Sequence, residues 1–227
     1  YANLTTESAM SFTFAGAEVG AGYDYSVDDS NGATAAVTGS GTIATATDQI
    51  TGIDVSALDD DTLTLSVTLT DTAGNVGAPE TDTVEKDTAR PTVLAVTPGA
   101  LSDSEVGSVN VAVTFNETMD TGTNPDQSLT GLTSSPYTIS GSAWSTTTDT
   151  DDTWTGSFTF VDDGEEAMGT YELAGFADAA GNTMATDATN TVTVDTANPV
   201  GYTVSIDQAY ANLTTESAMS FTFAGAE

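Results

Sequence analysis

The chain has no cysteine, no histidine and only two basic residues among 227. Without cysteine there is no disulfide framework and no thiolate metal site. Without histidine or cysteine, and with no serine in a nucleophile motif, the usual groups of nucleophilic and general-base catalysis are missing. The chain is therefore read as a non-enzyme. Two cations cannot neutralise a phosphate backbone, which excludes nucleic acid as a partner and disfavours anionic lipid. No apolar run approaches the ~18–20 residues of a membrane span, and no signal peptide is recognisable. Direct membrane insertion is not expected, and any export signal is expected outside this stretch. Aromatics are sparse, with Trp144 and Trp154 the only tryptophans.

What is present is acid. Thirty-four Asp and Glu give a formal charge of -32. Such a chain stays soluble by self-repulsion, and its natural counter-ions are metal cations. A second reading of the same charge is plain solubility, or suitability for a salty medium that screens it. High net charge also favours disorder, but the apolar pattern opposes that. In TLTLSVTLT (62–70), Leu63, Leu65, Val67 and Leu69 share one face and Thr and Ser the other. Further short strands are expected at SFTF (11–14), YDYSV (23–27), AAVTGSGTIATA (35–46), TDTVEK (81–86), TVLAV (92–96) and VNVAVTF (109–115). The series continues through YTIS (137–140), TWTGSFTF (153–160), TYELAGFA (170–177), TVTV (191–194) and GYTVSI (201–206). Turn signals separate them and no helical period is sustained, which predicts an all-β chain of β-sandwiches.

The chain also repeats itself. Residues 1–18 and 210–227 both read YANLTTESAMSFTFAGAE, a period of 209 residues. The simplest account is a window on a longer polymer, slightly more than one period long. Inside the period, VEKDTARP (84–91) and VTVDTANP (192–199) share the frame V-x-x-D-T-A-x-P, with Asp87 and Asp195 108 residues apart. DTAGN (71–75) and DAAGN (178–182) share D-x-A-G-N, with Asp71 and Asp178 107 residues apart. Each unit is thus one sandwich long. The expected organisation is a sandwich at 1–88 lacking its first strand, a second at 89–197, and the first strands of the next repeat at 198–227. The strand missing from the first unit has the sequence at 200–207, carried at the other end of the chain.

DTAGNVGAPETDTVEKDTARP (71–91) resembles the end of a bacterial immunoglobulin-like repeat of giant calcium-dependent, RTX-type surface adhesins. FNETMD (115–120) with DAAGNTM (178–184) resembles a sister class of such domains, and GTYEL (169–173) resembles an immunoglobulin tyrosine corner. The resemblance implies tandem immunoglobulin-like sandwiches in an extended array, holding a terminal binding module away from the cell. It also implies calcium near the domain junctions. The linkers D-T-A-R-P and D-T-A-N-P depart from the D-T-T-A-P common in the family, and the first unit has FAGAE (14–18) where the second has FNETMD.

Calcium takes six to eight oxygens from carboxylates, carbonyls and Asn side chains. Asp71 and Asp178 are the leading candidate ligands, followed by Asn75 and Asn182, which otherwise close their turns. Asp87 and Asp195 sit where a bridging ion would lie, and Glu117, Asp120 and Glu18 end strands near the same poles. The alternative for each is a solvated or turn-capping carboxylate. SALDDDTL (56–63) and VDDGEE (161–166) are read as exposed loops, since neither has EF-hand spacing. Lys86 and Arg90 flank Asp87 and are placed to pair across the junction. NLT (3–5, 212–214) and NET (116–118) match glycosylation sequons, a short signal.

The leading functional reading is a structural extender of a cell-surface adhesin or extracellular fibre, rigidified by Ca2+. The alternative is a subunit of an extracellular filament or surface layer, assembled by β-strand complementation. In either case the partners are neighbouring copies of the repeat, in cis or head-to-tail in trans through residues 200–207. A carbohydrate-binding module is a third reading. Glycoside hydrolysis by a carboxylate pair needs a cleft that two small sandwiches in series rarely offer.

Overall fold

The computed structural model describes residues 1–225. The last two positions of the repeated segment, 226 and 227, lie outside the described residues. The chain is all-β, with tandem immunoglobulin-like sandwiches and a short strand pair after them.

The first sandwich is built from β1 (Met10–Thr13), β2 (Gly22–Asp28), β3 (Val37–Thr42), β4 (Gln49–Ile53), β5 (Thr62–Thr70) and β6 (Glu80–Glu85). One sheet is β1 against β4, and the facing sheet runs β3-β2-β5-β6. Between them Val27, Ile53, Val55, Leu58 and Leu63 are buried. Phe12 stands edge-on to Tyr25 and Phe14 tilts against Tyr23, with centroids 5.5 and 5.6 Å apart. Ala2 makes a parallel bridge to Lys86, placing residues 3–9 at the pole where the chain leaves the sandwich.

The second sandwich contains β7 (Val93–Thr97), β8 (Ala100–Ser102), β9 (Gly107–Phe115), β10 (Gln127–Thr130), β11 (Tyr137–Ser145), β12 (Thr153–Phe160), β13 (Glu166–Glu172) and β14 (Thr191–Asp195). The ladder runs β7-β9-β12-β11-β10-β13-β14-β8. β11 belongs to both sheets: Tyr137–Ile139 pair with β10, and Ser140–Ser145 with β12. Folded at β11, the order is that of an immunoglobulin sandwich, four strands facing three, with β8 added in parallel beside β14. Period two holds in β9, where Val109, Val111, Val113 and Phe115 are buried. Phe176 packs edge-on against both Phe115 and Trp154, at 5.0 and 5.2 Å. Each such ring buries enough apolar surface to contribute about 1.5–3 kcal/mol.

Beyond a linker lie β15 (Thr203–Ile206) and β16 (Phe221–Ala224), paired antiparallel.

One sequence expectation changes. The hydroxyl of Tyr171 donates to the carbonyl of Pro98, 2.9 Å away in the β7–β8 crossover. A tyrosine corner bonds backbone only a few residues upstream, so GTYEL is a different lock, tying β13 to the β7–β8 crossover 73 residues earlier in the chain. Burial pushes this phenol up to about 12. The NLT segments are turns: Asn3 Oδ1 accepts from Thr5 N and Oγ1, and Asn212 repeats the pattern with Thr214.

Candidate metal centre at the sandwich junction

The D-x-A-G-N turns build themselves the same way twice. Asp178 Oδ1 accepts from Asn182 N at 2.8 Å, and its Oδ2 from Asn182 Nδ2 at 2.9 Å. Asp71 grips Asn75 through the same two bonds, at 2.8 and 2.7 Å. A carboxylate two to four residues before free N–H groups closes such a turn without outside help. Gly181, at φ +92°, supplies the left-handed residue, and a Cβ there would stand 3.2 Å from Asn3 Nδ2. Glycine is needed both for conformation and for the approach of the first sandwich.

The surroundings of the two turns differ. Asp178 and Asn182 are buried, 0% and 2% exposed, because the first sandwich and the linker cover them. Asn3 Nδ2 donates to the Ala180 carbonyl at 2.7 Å, and Leu4 N to Asn182 Oδ1 at 3.0 Å. Asn182 Nδ2 also reaches back to the Asp87 carbonyl at 2.9 Å. Arg90 donates to the Thr183 carbonyl. Asn182 therefore serves as a two-way bracket between the units, a role the sequence motif did not reveal. The Asn3 and Leu4 contacts were equally hidden, since they rest on a partner 177 or more residues away.

A second segment completes the site. Residues 118–120 run antiparallel to 177–179, through Ala179 N to the Thr118 carbonyl and Asp120 N to the Ala177 carbonyl. This brings Glu117 to Asp178 and to Asp87 of the linker. One carboxylate oxygen from each lies within 4.8 Å of the others. Like charges at this distance repel by roughly 3–4 kcal/mol per pair at an effective dielectric near 20. Burial, then the charges of Asp178 and Asp87, push the Glu117 carboxyl up to about 7. Burial also raises Asp87, with Asp178 and Asp60 adding to the shift. Glu117 Oε1 is buried with no hydrogen-bond partner. Three converging carboxylates and an orphaned oxygen fit a hard divalent cation, which takes oxygen ligands and cancels the repulsion.

The other candidates lie elsewhere. Asp120 caps its own turn through Gly122 N and Thr123 Oγ1, and these bonds hold its carboxyl below the usual range. Asn75, Glu18 and Asp195 are exposed and Asp71 is half-buried. Among the described residues these four join no cluster of three acids. Lys86 is not a junction cation. It is buried, 3.1 Å from Glu7 and 3.6 Å from Asp60, and donates to the Leu58 carbonyl. Within SALDDDTL, Asp60 also binds Thr88 N at 2.8 Å, tying that acidic loop to the linker. Trp154 is fully buried, and Trp144 lies opposite it in the β11–β12 hairpin with its N–H on Asn124.

No sequence family matches the chain, and no curated protein does. Among solved structures it is similar to a tetra-tandem repeat in the extending region of a large adhesion protein. The identity is 20% over 95% of this chain and 51% of that one, with TM-score 0.36. This chain thus spans about half the length of that structure. It is also similar to chicken CNTN1 FN1–FN3 domains, at 10% identity over 84% of this chain and 63% of that one, TM-score 0.33. Fibronectin(III)-like modules of Clostridium thermocellum CbhA follow, at 11% identity over 83% and 94%, TM-score 0.29.

Proposed function

We propose that the chain is a stretch of structural extender from a cell-surface adhesin or extracellular fibre of the calcium-dependent, RTX-type class. Calcium held by Asp87, Glu117 and Asp178 stiffens the joint between successive sandwiches. The observation that carries this reading is the placement of the three carboxylates. They converge from the linker and the second sandwich, beside an asparagine that also binds the first. A cation there ties the linker at Asp87 to the second sandwich, which removes one place where the joint could bend. Extracellular modules bind calcium at about 0.1–1 mM, which suits a surface location. Neighbouring repeats are the expected partners.

The test is thermal unfolding of the 227-residue chain in calcium, in magnesium and in chelator. Saturation at a hundredfold over Kd adds about 2.7 kcal/mol per site. A midpoint that rises with calcium and not with magnesium is the expected result. Equal midpoints in calcium and chelator would sink the reading and leave the acid a solubilising role.

A further inference from the structure

The sequence contains one Asn-Gly step, Asn31-Gly32; every other asparagine is followed by Leu, Val, Glu, Thr or Pro. The step lies in the loop between β2 and β3, and both residues are exposed. An asparagine can be attacked at its side-chain amide carbon by the backbone nitrogen of the next residue. A side chain on that residue hinders the approach, a proline has no N–H to give up, and glycine does neither.

The loop prepares the reacting groups. Thr34 N donates to the Asn31 carbonyl at 3.0 Å and closes a turn around the step. Asn31 Oδ1 accepts from Ala33 N at 3.2 Å. The amide carbonyl is thus polarised, and its oxygen already has a donor for the negative charge that develops on attack. Among the described residues Gly32 N donates to no acceptor. A Cβ on Gly32 would meet nothing within 4 Å, so the backbone has room to turn toward the side chain.

The same amide is a fastener. Asn31 Nδ2 donates to Asp59 Oδ2 at 2.5 Å, Asp59 N donates to Asp29 Oδ2 at 2.7 Å, and Ser30 Oγ donates to Asp61. The loop held in this way, residues 58–61, in turn holds the chain where it leaves the first sandwich. Lys86 N donates to the Asp61 carbonyl at 2.9 Å, Lys86 Nζ to the Leu58 carbonyl at 2.6 Å, and Thr88 N to Asp60 at 2.8 Å. A carboxylate in place of the amide would remove the donor and set two like charges where a hydrogen bond stood.

We propose that Asn31 deamidates spontaneously and that the product loosens the 58–61 loop from Thr88. Gly32 N bonds to Asn31 Cγ, the Cγ–Nδ2 bond breaks, and Nδ2 leaves as ammonia. The proton lost by Gly32 N goes to solvent, and solvent supplies the one that Nδ2 takes. Water then opens the cyclic imide on either side of its nitrogen. Opening at Cγ gives an aspartate, and opening at the main-chain carbonyl carbon of residue 31 gives an isoaspartate, whose backbone runs through the former side chain. Water is the only co-reactant. The first sandwich thereby holds an ageing site whose conversion grows with time since synthesis.

The test is incubation of the 227-residue chain in warm, mildly alkaline buffer. Chelator throughout keeps the result apart from calcium binding. Released ammonia is counted, and fragmentation mass spectrometry locates the mass gained when NH2 becomes OH. One ammonia per chain, with the gain at Asn31 in both aspartate and isoaspartate forms, is the expected result. Gly32→Ala, which fits the open space there, should slow the release about tenfold. No gain at Asn31, an equal gain at Asn3 and Asn75, or an undiminished rate in Gly32→Ala overturns the site. Hydrogen exchange reads the consequence. In the aged chain and in Asn31→Asp, the Asp59 and Thr88 amides should exchange severalfold faster than in the fresh parent, while those of β9 stay protected. Unchanged exchange at Thr88 would overturn the loosening.

Discussion

At Glu117 burial and neighbouring charge push the same way, so its carboxyl keeps a proton up to about 7 instead of releasing it near 4.5. Between those values the metal-free folded chain binds more protons than the unfolded one. Stability therefore falls as pH rises through the window, and the penalty is absent below about 4.5. Calcium needs the ionised form, so its affinity should rise across the same range. Glu117→Gln removes the charge and offers Asp178 and Asp87 a donor. In chelator at neutral pH this variant should melt above the parent, with a flatter pH profile, and it should lose most of the calcium shift. Calorimetry across pH, with and without calcium, checks all three. The motif made Asp178 visible in the sequence, but not its burial. DTAGN and DAAGN read almost alike, and only the contacts of Asn3, Leu4 and the linker distinguish a buried turn from an exposed one.

Among elements, the β11–β12 hairpin depends on a single buried side chain. Asp152 accepts from Thr147 N and Oγ1, Thr148 N and Asp149 N, all at 2.7–2.9 Å. Burial raises its pKa, but the bonds from Thr148, Asp149 and Thr147 outweigh it and hold the carboxyl well below the usual range. The hairpin's stability is therefore present above the unfolded value of 3.8 and lost as pH falls below it. Asp152→Asn turns a donor toward the N–H groups of Thr148 and Asp149. It should cost at least ~2 kcal/mol, measured by urea unfolding near pH 7. Long alternating strands such as β5 and β12 were legible because their period runs for eight or nine residues. QITGI, ALS and QSLT (β4, β8 and β10) were not legible, because none of them alternates apolar and polar residues along its length. Their extended form is set by partners distant in sequence, such as β14 for β8 and β13 for β10. AAVTGSGTIATA shortened to six residues at β3.

For the whole molecule, Asn182 is the side chain that hydrogen-bonds both to the first sandwich's Leu4 and to the linker. It accepts from Leu4, donates to the Asp87 carbonyl and closes its own turn. Asn182→Ala should uncouple the units, splitting one calorimetric transition into two in chelator. A single unchanged transition would show that the contacts left in place, Asn3 to the Ala180 carbonyl and Arg90 to the Thr183 carbonyl, suffice to couple the units. The repeat period and the paired linkers announced a tandem architecture in the sequence. The sharing of the junction by residues 3–4, 87–90 and 178–183 was not announced, because it depends on how the poles meet.

The parallel placement of β8 beside β14 has a mechanical consequence. The chain enters the second sandwich through β7 and β8 and leaves through β14, with Ala100, Leu101 and Ser102 registered against Thr193, Val194 and Asp195. Once β7 has detached from β9, a pull on the two ends draws the parallel β8 and β14 past each other, so their ladder bonds share the load. The smallest strand in the sandwich, three residues long, is thus the one across which tension along a tethered string of domains would be borne.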